Sequence, residues 1–530
     1  RLLASFMLLS LLLLLVYMAR PTHWLALLGA GVFAALAILT KTSAGFLIPF
    51  TMLTLAVYVP FCLLTDRPAG WTGRQWALMA SLWAGGMVLV LLCLWPAAWQ
   101  APEAMFTLLF HNIQAVVTTP HESASYFLGQ VVADPGWPYY WVVLSFRLTP
   151  LTLPLGLLSV VFLVRDGFRR QWRIGSTLML TLLLYAVLFL AVIGLAAKKQ
   201  ERYILPAVVA IDVLAAWALA RLLDWFAQAR ARRRWRWGAV GLILLTSLWW
   251  FRLHPHYYVY QNPLVGGSPA ANWVYMTGWG EGNELGAAYL NQRPEAAELV
   301  TVASFDAGVA AYMPGVVLWL SPETIPLADY AVVNEGAIRH DPTTTGLQAF
   351  FASRQPVHTV YLDGIPYARV YSLTTEPRRW LSWQPLQAQH PWSISVGKNI
   401  AFQGYDGDLG PVSAGDELAL TLYWHCTNYL SHDYTVFVHL IGLSDGRKWG
   451  QWDSVPVHGL FPTSWWRPGL GIRDDIRVLV DPAAPPGEYE LRIGLYDPRT
   501  GQRAWVGDAG SGQDSLLLGL VTVTAPRGTP

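Results

Sequence analysis

Lys198-Lys199-Gln200-Glu201-Arg202-Tyr203 is a knot of charge inside an otherwise apolar tract covering residues 175–220. Ionisable side chains are costly in hydrocarbon, so such a knot belongs at a membrane surface or against a polar cavity. Upstream of it the chain reads as a series of apolar segments. Within about 60 residues downstream the pattern becomes that of a water-soluble protein. The functional question is what these cations are for.

Composition supports that division. The 530 residues are 54% hydrophobic and 13% charged, and the mean hydropathy is +0.35. This is too apolar for one soluble protein and too mixed for a membrane bundle alone. The net charge is +2 and Arg concentrates beside apolar segments, so no basic face for nucleic acid is implied. Cys62 and Cys93 fall in apolar stretches and Cys426 stands alone in the soluble half, which leaves no disulfide framework or zinc site to assemble. The sequence enters its first apolar run directly from Arg1, without the features of a signal peptide. The chain is therefore expected to be cut from a larger protein.

A spanning helix needs about 20 apolar residues. About eight stretches approach this: 2–17, 24–39, 44–64, 76–99, 149–164, 176–196, 204–223 and 237–253. Arg230, Arg232, Arg233, Arg234 and Arg236 form the strongest basic cluster, and basic loops stay on the cytoplasmic side. Counting from that anchor puts the Arg-bearing loops 20–23, 66–74 and 165–173 inside as well. Residues 41–43, the long loop 100–140, the charged knot and everything beyond about His254 then fall outside. The long loop holds His111, His121, Glu122, Asp134, Trp137, Tyr139 and Tyr140, and long loops on rigid scaffolds often carry function. Asp212 is the clearest ionisable residue within a span. A proton- or ion-coupled transporter would carry more of them there.

Several motifs, taken in order, carry a resemblance: Gly31 and Ala35-Leu36-Ala37 leading to Leu39-Thr40-Lys41; His121-Glu122 with Tyr126-Phe127-Leu128-Gly129; Tyr139-Tyr140 with Arg147-Leu148-Thr149-Pro150; and Lys199, Glu201-Arg202-Tyr203 and Pro206. Together with Tyr260-Gln261-Asn262-Pro263-Leu264-Val265-Gly266-Gly267 and Gly278-Trp279-Gly280-Glu281-Gly282, they resemble the later part of family 39 GT-C glycosyltransferases. That group includes the protein O-mannosyltransferases and the lipid A aminoarabinose transferases. The resemblance covers roughly residues 31–290.

The resemblance implies chemistry on the outer face with a polyprenyl-phosphate sugar as donor and a glycan, lipid or protein acceptor. Such chemistry needs a carboxylate for the acceptor hydroxyl and cations for the leaving phosphate. Arg and Lys suit the second task. Lys41, Lys198, Lys199 and Arg202 are therefore the expected donor-phosphate ligands, with His121, Glu122, Tyr139, Tyr140 and Tyr203 bordering the sugar or acceptor. The family's acidic residue lies in its first exoplasmic loop, and no residue here matches it. The catalytic base is expected in a missing N-terminal segment, which makes this portion inactive by itself. No protein metal site is expected, and a divalent-metal requirement is left open.

Plainer readings stand beside these. The knot also fits an interfacial anchor whose side chains snorkel to headgroups, and Lys41 fits a simple span end. His121 and Glu122 fit a solvated or capping pair. Asp212 fits a structural pair with a polar group on a neighbouring helix, and Trp137, Tyr139 and Tyr140 fit an interfacial aromatic belt.

From Tyr257 an α/β pattern is predicted: a helix at 285–291, strands at 299–305 and 330–334, and a hairpin of 358–362 with 367–373 turning at Asp363-Gly364. Gly278, Gly280 and Gly282 predict a turn at a helix start rather than a dinucleotide fingerprint. From about His390 the chain reads as all-β, with strands at 399–405, 417–425, 434–441, 476–480 and 488–496. Trp424, Trp449, Trp452, Trp465 and Trp466 are expected mainly in packing rather than on a sugar-stacking platform.

The expected fold is multi-domain. A polytopic α-helical membrane bundle (1–254) precedes a small exoplasmic α/β domain (255–388) and a β-sandwich (389–526), immunoglobulin-like or carbohydrate-module-like. The expected protein is a multi-pass glycosyltransferase of the bacterial plasma membrane, in contact with the lipid bilayer, its C-terminal half extracytoplasmic. The alternative is a non-catalytic, membrane-anchored surface protein that binds glycan or protein through its sandwich.

Overall fold

The computed structural model describes residues 2–64, 73–120, 125–169, 173–226, 232–339, 345–507 and 512–526. Two compact units divide the chain. The first comprises Arg1–Thr277 with two short pieces from further along, and the second takes the remainder from Gly278 onward.

The first unit is helical: α1 (Leu2–Ala19), α2 (Trp24–Thr40), α3 (Leu47–Leu64), α4 (Gly73–Leu94), the short α5 (Ala97–Gln100), α6 (Pro102–Thr118), α7 (Tyr139–Arg147), α8 (Thr152–Phe168), α9 (Ile174–Leu195), α10 (Leu205–Phe226), α11 (Arg232–Trp250) and α12 (Gly267–Val274). Each apolar stretch read from the sequence overlaps one of these helices, and 76–99 runs from α4 across Trp95-Pro96 into α5. Among the described residues, four helical segments are long and apolar enough to cross a membrane: Leu2–Ala19, Trp76–Leu94, Ile174–Leu195 and Glu201–Trp225. The apolar helices Trp24–Thr40, Thr42–Val57 and Trp237–Leu253 are shorter.

The predicted span at 149–164 is instead the second half of a broken pair, α7 and α8, bent by 116°. Leu148-Thr149-Pro150 makes the bend. Pro disfavours helical geometry in the residue before it and cannot donate a backbone hydrogen bond. Leu148, which caps α7, is extended (ψ 150°), and the Thr149 hydroxyl accepts from the Thr152 amide at 2.9 Å to begin α8.

Helix contact rests on small residues. A Cβ at Gly31 of α2 would fall 1.9 Å from the Trp83 carbonyl oxygen of α4, and one at Gly86 would lie 2.3 Å from the Leu28 carbonyl oxygen. Backbones that approach so closely leave room only for glycine, the usual means of packing apolar helices against one another. Ser10 of α1 donates to the Ala30 carbonyl of α2 at 2.8 Å. A short hairpin, β1 (Ser125–Phe127) and β2 (Gln130–Val132), docks where α12 ends, with the Leu128 amide donating to the Val274 carbonyl at 2.7 Å.

The second unit begins with a mixed sheet: β3 (Val300–Ala303), β4 (Val316–Trp319), β5 (Tyr330–Asn334), β6 (His358–Leu362) and β7 (Ile365–Ser372), in the order β4-β3-β5-β7-β6. Parallel pairing joins β3 to β4 and β5, and antiparallel pairing joins β5 to β7. Gly278, Gly280 and Gly282 all have positive φ, and Gly282 stands immediately before α13 (Asn283–Leu290), a turn at a helix start.

The rest is one hydrogen-bonded sheet of ten strands: β8 (Leu381–Ser382), β9 (His390–Val396), β10 (Ile400–Asp406), β11 (Val412–Ser413), β12 (Glu417–Cys426), β13 (Thr435–Gly442), β14 (Lys448–Ser454), β15 (Gly471–Val480), β16 (Gly487–Tyr496) and β17 (Leu516–Thr524). Their order is β11-β17-β16-β13-β14-β15-β12-β10-β9, with β8 beside β15. Along β12, Leu418, Leu420, Leu422 and Trp424 are all buried, the two-residue alternation of a strand with one face in a core. Trp424 and Trp466 sit inside that core and Trp449 and Trp452 pack against it, while Trp465 is 37% exposed.

Candidate functional site

α2 ends at Thr40, whose hydroxyl donates to the Ala37 carbonyl at 2.6 Å. Lys41 then turns extended (φ −163°, ψ 137°) while its amide still donates to Ala37. α9 ends at Leu195, and the chain continues through the knot into a short 3-10 turn, Glu201–Ile204. A cavity of about 500 Å³ opens between these two helix ends. Leu3, Phe46, Val117, Phe189, Val192 and Ile193 give it apolar walls, and its charged lining residues are Lys41, Lys198 and Arg202. Among the described residues, no Asp, Glu or His lines it.

The Lys41 ammonium lies 3.6 Å from the centroid of the Tyr203 ring, a cation–π contact. Tyr140 is fully buried and also lines the cavity; its hydroxyl accepts from the Gln200 amide at 3.3 Å, linking α7 to the turn that carries Tyr203. Arg202 is exposed and its Nε donates to the Gln200 side chain at 2.9 Å. Lys41 and Lys198 make no ion pair among the described residues.

The adjacent lysine behaves otherwise. Lys199 is buried, its ammonium donating to the Gly194 and Ala196 carbonyls at 3.0 and 2.5 Å and pairing with Asp134 at 3.0 Å. It closes the C-terminus of α9, where a cation satisfies orphan carbonyls and the helix dipole, and it does not line the cavity.

Glu201 is likewise turned inward. It is 3% exposed, accepts from the Tyr258 hydroxyl at 2.6 Å and lies 4.0 Å from Arg147. Arg147 also donates to the carbonyls of Tyr258 and Tyr260 at 2.6 and 3.2 Å. Burial raises the Tyr258 hydroxyl well above its ordinary value, with Glu201 adding to the shift. Tyr275 is pushed up to about 12, chiefly by burial, and donates to Gln261 at 2.6 Å. Asn262 ties the same segment to α7, its amide donating to Phe146 at 2.7 Å and its side chain to Ser145 at 3.1 Å. The Tyr260-Gln261-Asn262 motif is thus a clasp on the end of α7.

The structure therefore brings Lys41, Lys198, Arg202, Tyr140 and Tyr203 to one cavity and separates Lys199 from it. Tyr139 is 4% exposed and packs against Phe127 and Tyr140. Neither Tyr139 nor Tyr140 belongs to an aromatic belt, because both carry the inward face of α7; Trp137 is 67% exposed. His121 and Glu122 lie outside the described residues. Asp212 accepts from Thr152 at 2.8 Å, a structural pair between α10 and α8. Arg147, Tyr258 and Asp134 were not assigned roles from sequence. The signal for them was the knot itself, since a buried carboxylate or ammonium requires a partner. Among the described residues, no group of three His, Cys, Asp or Glu gathers to hold a metal. No protein-family model matches the chain, and no curated protein does either.

Proposed function

We propose that the cavity binds the phosphate of a long-chain lipid, and that the protein is an integral membrane glycosyltransferase of the GT-C type. It would transfer a sugar from a polyprenyl-phosphate donor to a glycan, lipid or protein acceptor. The observation that carries this reading is the lining: apolar walls able to take a prenyl chain, with Lys41, Lys198 and Arg202 among them and, among the described residues, no acidic one. Cations at a leaving phosphate stabilise charge as it develops, typically the largest single contribution to such a transfer.

In this reading the helices form a multi-pass bundle in a bacterial plasma membrane. The basic cluster around Arg233 is cytoplasmic, the cavity opens toward the outer leaflet, and the sheet-rich unit is an exoplasmic α/β domain with a sandwich module. Lys199 and Glu201 hold the walls in place. None of the described residues lining the cavity is a carboxylate able to take the acceptor proton.

The test is release of polyprenyl phosphate by the protein expressed from its complete reading frame. Lys41→Ala and Arg202→Ala should each lower turnover about a hundredfold or more while the protein remains folded. Undiminished turnover in both variants would remove the cavity from the reaction. Absence of turnover with every lipid-linked sugar, together with glycan binding by the intact protein, would favour the anchored surface protein instead.

A further inference from the structure

Among the described residues, two ammonium groups without an anionic partner face the cavity, and the described acids nearest to the knot are engaged elsewhere. Asp134 holds Lys199, and Glu201 is buried against Tyr258 and Arg147. Lys41 and Lys198 make no ion pair among the described residues, and Arg202 adds a third positive charge to the same lining. A single negative charge leaves such a lining undercompensated; a doubly charged group comes closer to balancing it.

A lipid-linked sugar of the polyprenyl-phosphate kind is a phosphodiester with one negative charge. Transfer breaks the bond from the anomeric carbon to the phosphate oxygen, and the electron pair stays on that oxygen. A bond forms from the same carbon to the acceptor oxygen, and the acceptor proton leaves to a base. The lipid is left as a monoester, whose second ionisation lies near pH ~6, so it is doubly charged at neutral pH.

Resting on the glycosyltransferase reading, we infer that the cavity holds the lipid monophosphate product, as its dianion, more tightly than the sugar-bearing diester. The leaving lipid then competes with incoming donor, and its removal sets the pace of turnover. The groups facing the site are Lys41 from the end of α2, Lys198, Arg202 and Tyr203 from the knot, and Tyr140 from α7, with apolar residues from α1 and α6. With no carboxylate or imidazole among the described lining residues, the pH dependence of binding between about 5 and 8 should come from the ligand's second ionisation.

The experiment uses the full chain in nanodiscs and follows binding of dodecyl phosphate and its methyl diester by titration calorimetry at pH 5 and pH 8. Dodecyl phosphate should bind about tenfold tighter at pH 8 than at pH 5, while the diester should bind equally at both. Lys41→Gln and Lys198→Gln should each reduce the pH 8 advantage, and unchanged thermal unfolding of the variants would place the effect in the site.

Equal affinity for the two esters at pH 8 would overturn the inference and leave the lipid-phosphate reading standing. Absence of binding by either ester, or binding indifferent to both lysines, would overturn both. Inorganic phosphate binding as tightly as dodecyl phosphate would remove the lipid chain from recognition. Equal competition by phosphatidylglycerol vesicles would make the occupant an ordinary anionic lipid and overturn the product assignment.

Discussion

In the helical unit, Lys199 and Glu201 are each 3% exposed, and each reaches partners within the unit: two carbonyls and Asp134 for the one, Tyr258 and Arg147 for the other. In the sheet-rich unit, Asp474 of β15 is 1% exposed. One of its oxygens accepts from the Val457 amide at 2.8 Å, and the other has no hydrogen-bond partner among the described residues. The difference lies in what each group can do about its charge. Glu201 has a hydroxyl donor and a guanidinium beside it, whereas Asp474 has one amide, and a buried carboxyl short of partners can take up a proton and become neutral. Burial accordingly raises Asp474 to about 7, with Asp475 adding to it and the Val457 bond opposing it. In the helical unit, then, the cations without an ion pair among the described residues, Lys41 and Lys198, line the cavity proposed to hold a lipid phosphate. In the sheet-rich unit, the unpartnered carboxyl oxygen marks a pH-dependent weakness.

The largest effect expected from this contrast concerns Asp474. Its folded pKa of about 7 exceeds the unfolded value near ~3.9, so between those values the folded chain binds more protons than the unfolded one. Stability from this group is therefore fully present below about pH 4 and is lost as pH rises to about 7, by up to about 4 kcal/mol. Asp474→Asn keeps the acceptor for Val457 and removes the titration. Urea unfolding of the full chain, scored by protease resistance of the sheet-rich unit, should show the variant matching wild type at pH 4 and exceeding it at pH 8. A wild-type stability flat between pH 4 and 8 would mean that the second oxygen has a partner after all.

Glu201→Ala sharpens the other side. It leaves the Tyr258 hydroxyl and Arg147 buried without their carboxylate, and should cost about 3 kcal/mol, read as a lower midpoint of thermal unfolding in detergent. Tyr258→Phe should cost about 1 kcal/mol. If Glu201→Ala left stability unchanged but abolished lipid-phosphate binding, Glu201 would belong to the site and not to its scaffold.

How far the sequence revealed these arrangements depended on locality. Apolar runs locate the helices, because their length and composition are properties of each segment alone. The broken pair α7 and α8 was not legible. Trp137-Pro138-Tyr139 reads as loop, and α7 forms with Tyr140, Val143 and Phe146 buried, contacts made across the fold. The strand β12 showed in its buried alternation, whereas β13 is buried along nearly its whole length. By contrast, β4 carries an exposed Trp319, and β9 exposes most of its residues, so neither has the inward face that period-two reading requires. Lys41, Lys198 and Arg202 drew attention as charges among apolar residues. That Lys198 lines the cavity and Lys199 leaves it is set by where the carbonyls of Gly194 and Ala196 end α9, which no local pattern contains.

The smallest expected effect tests whether pairing within the helical unit extends to the cavity wall. Tyr203 holds the Lys41 ammonium over its ring, a contact of about 0.5–2 kcal/mol depending on solvent exclusion. Phe retains the ring and Leu does not. Tyr203→Phe should therefore bind dodecyl phosphate as wild type does, whereas Tyr203→Leu should bind about fivefold more weakly, because Lys41 must then be ordered at the moment of binding. In the background of Lys41→Gln the Leu substitution should lose its effect, and the double-mutant cycle isolates that coupling. A Tyr203→Leu penalty that persists without the lysine would instead assign the ring to the lipid chain. The helical unit would then present its unpaired cations on a wall that does nothing to orient them.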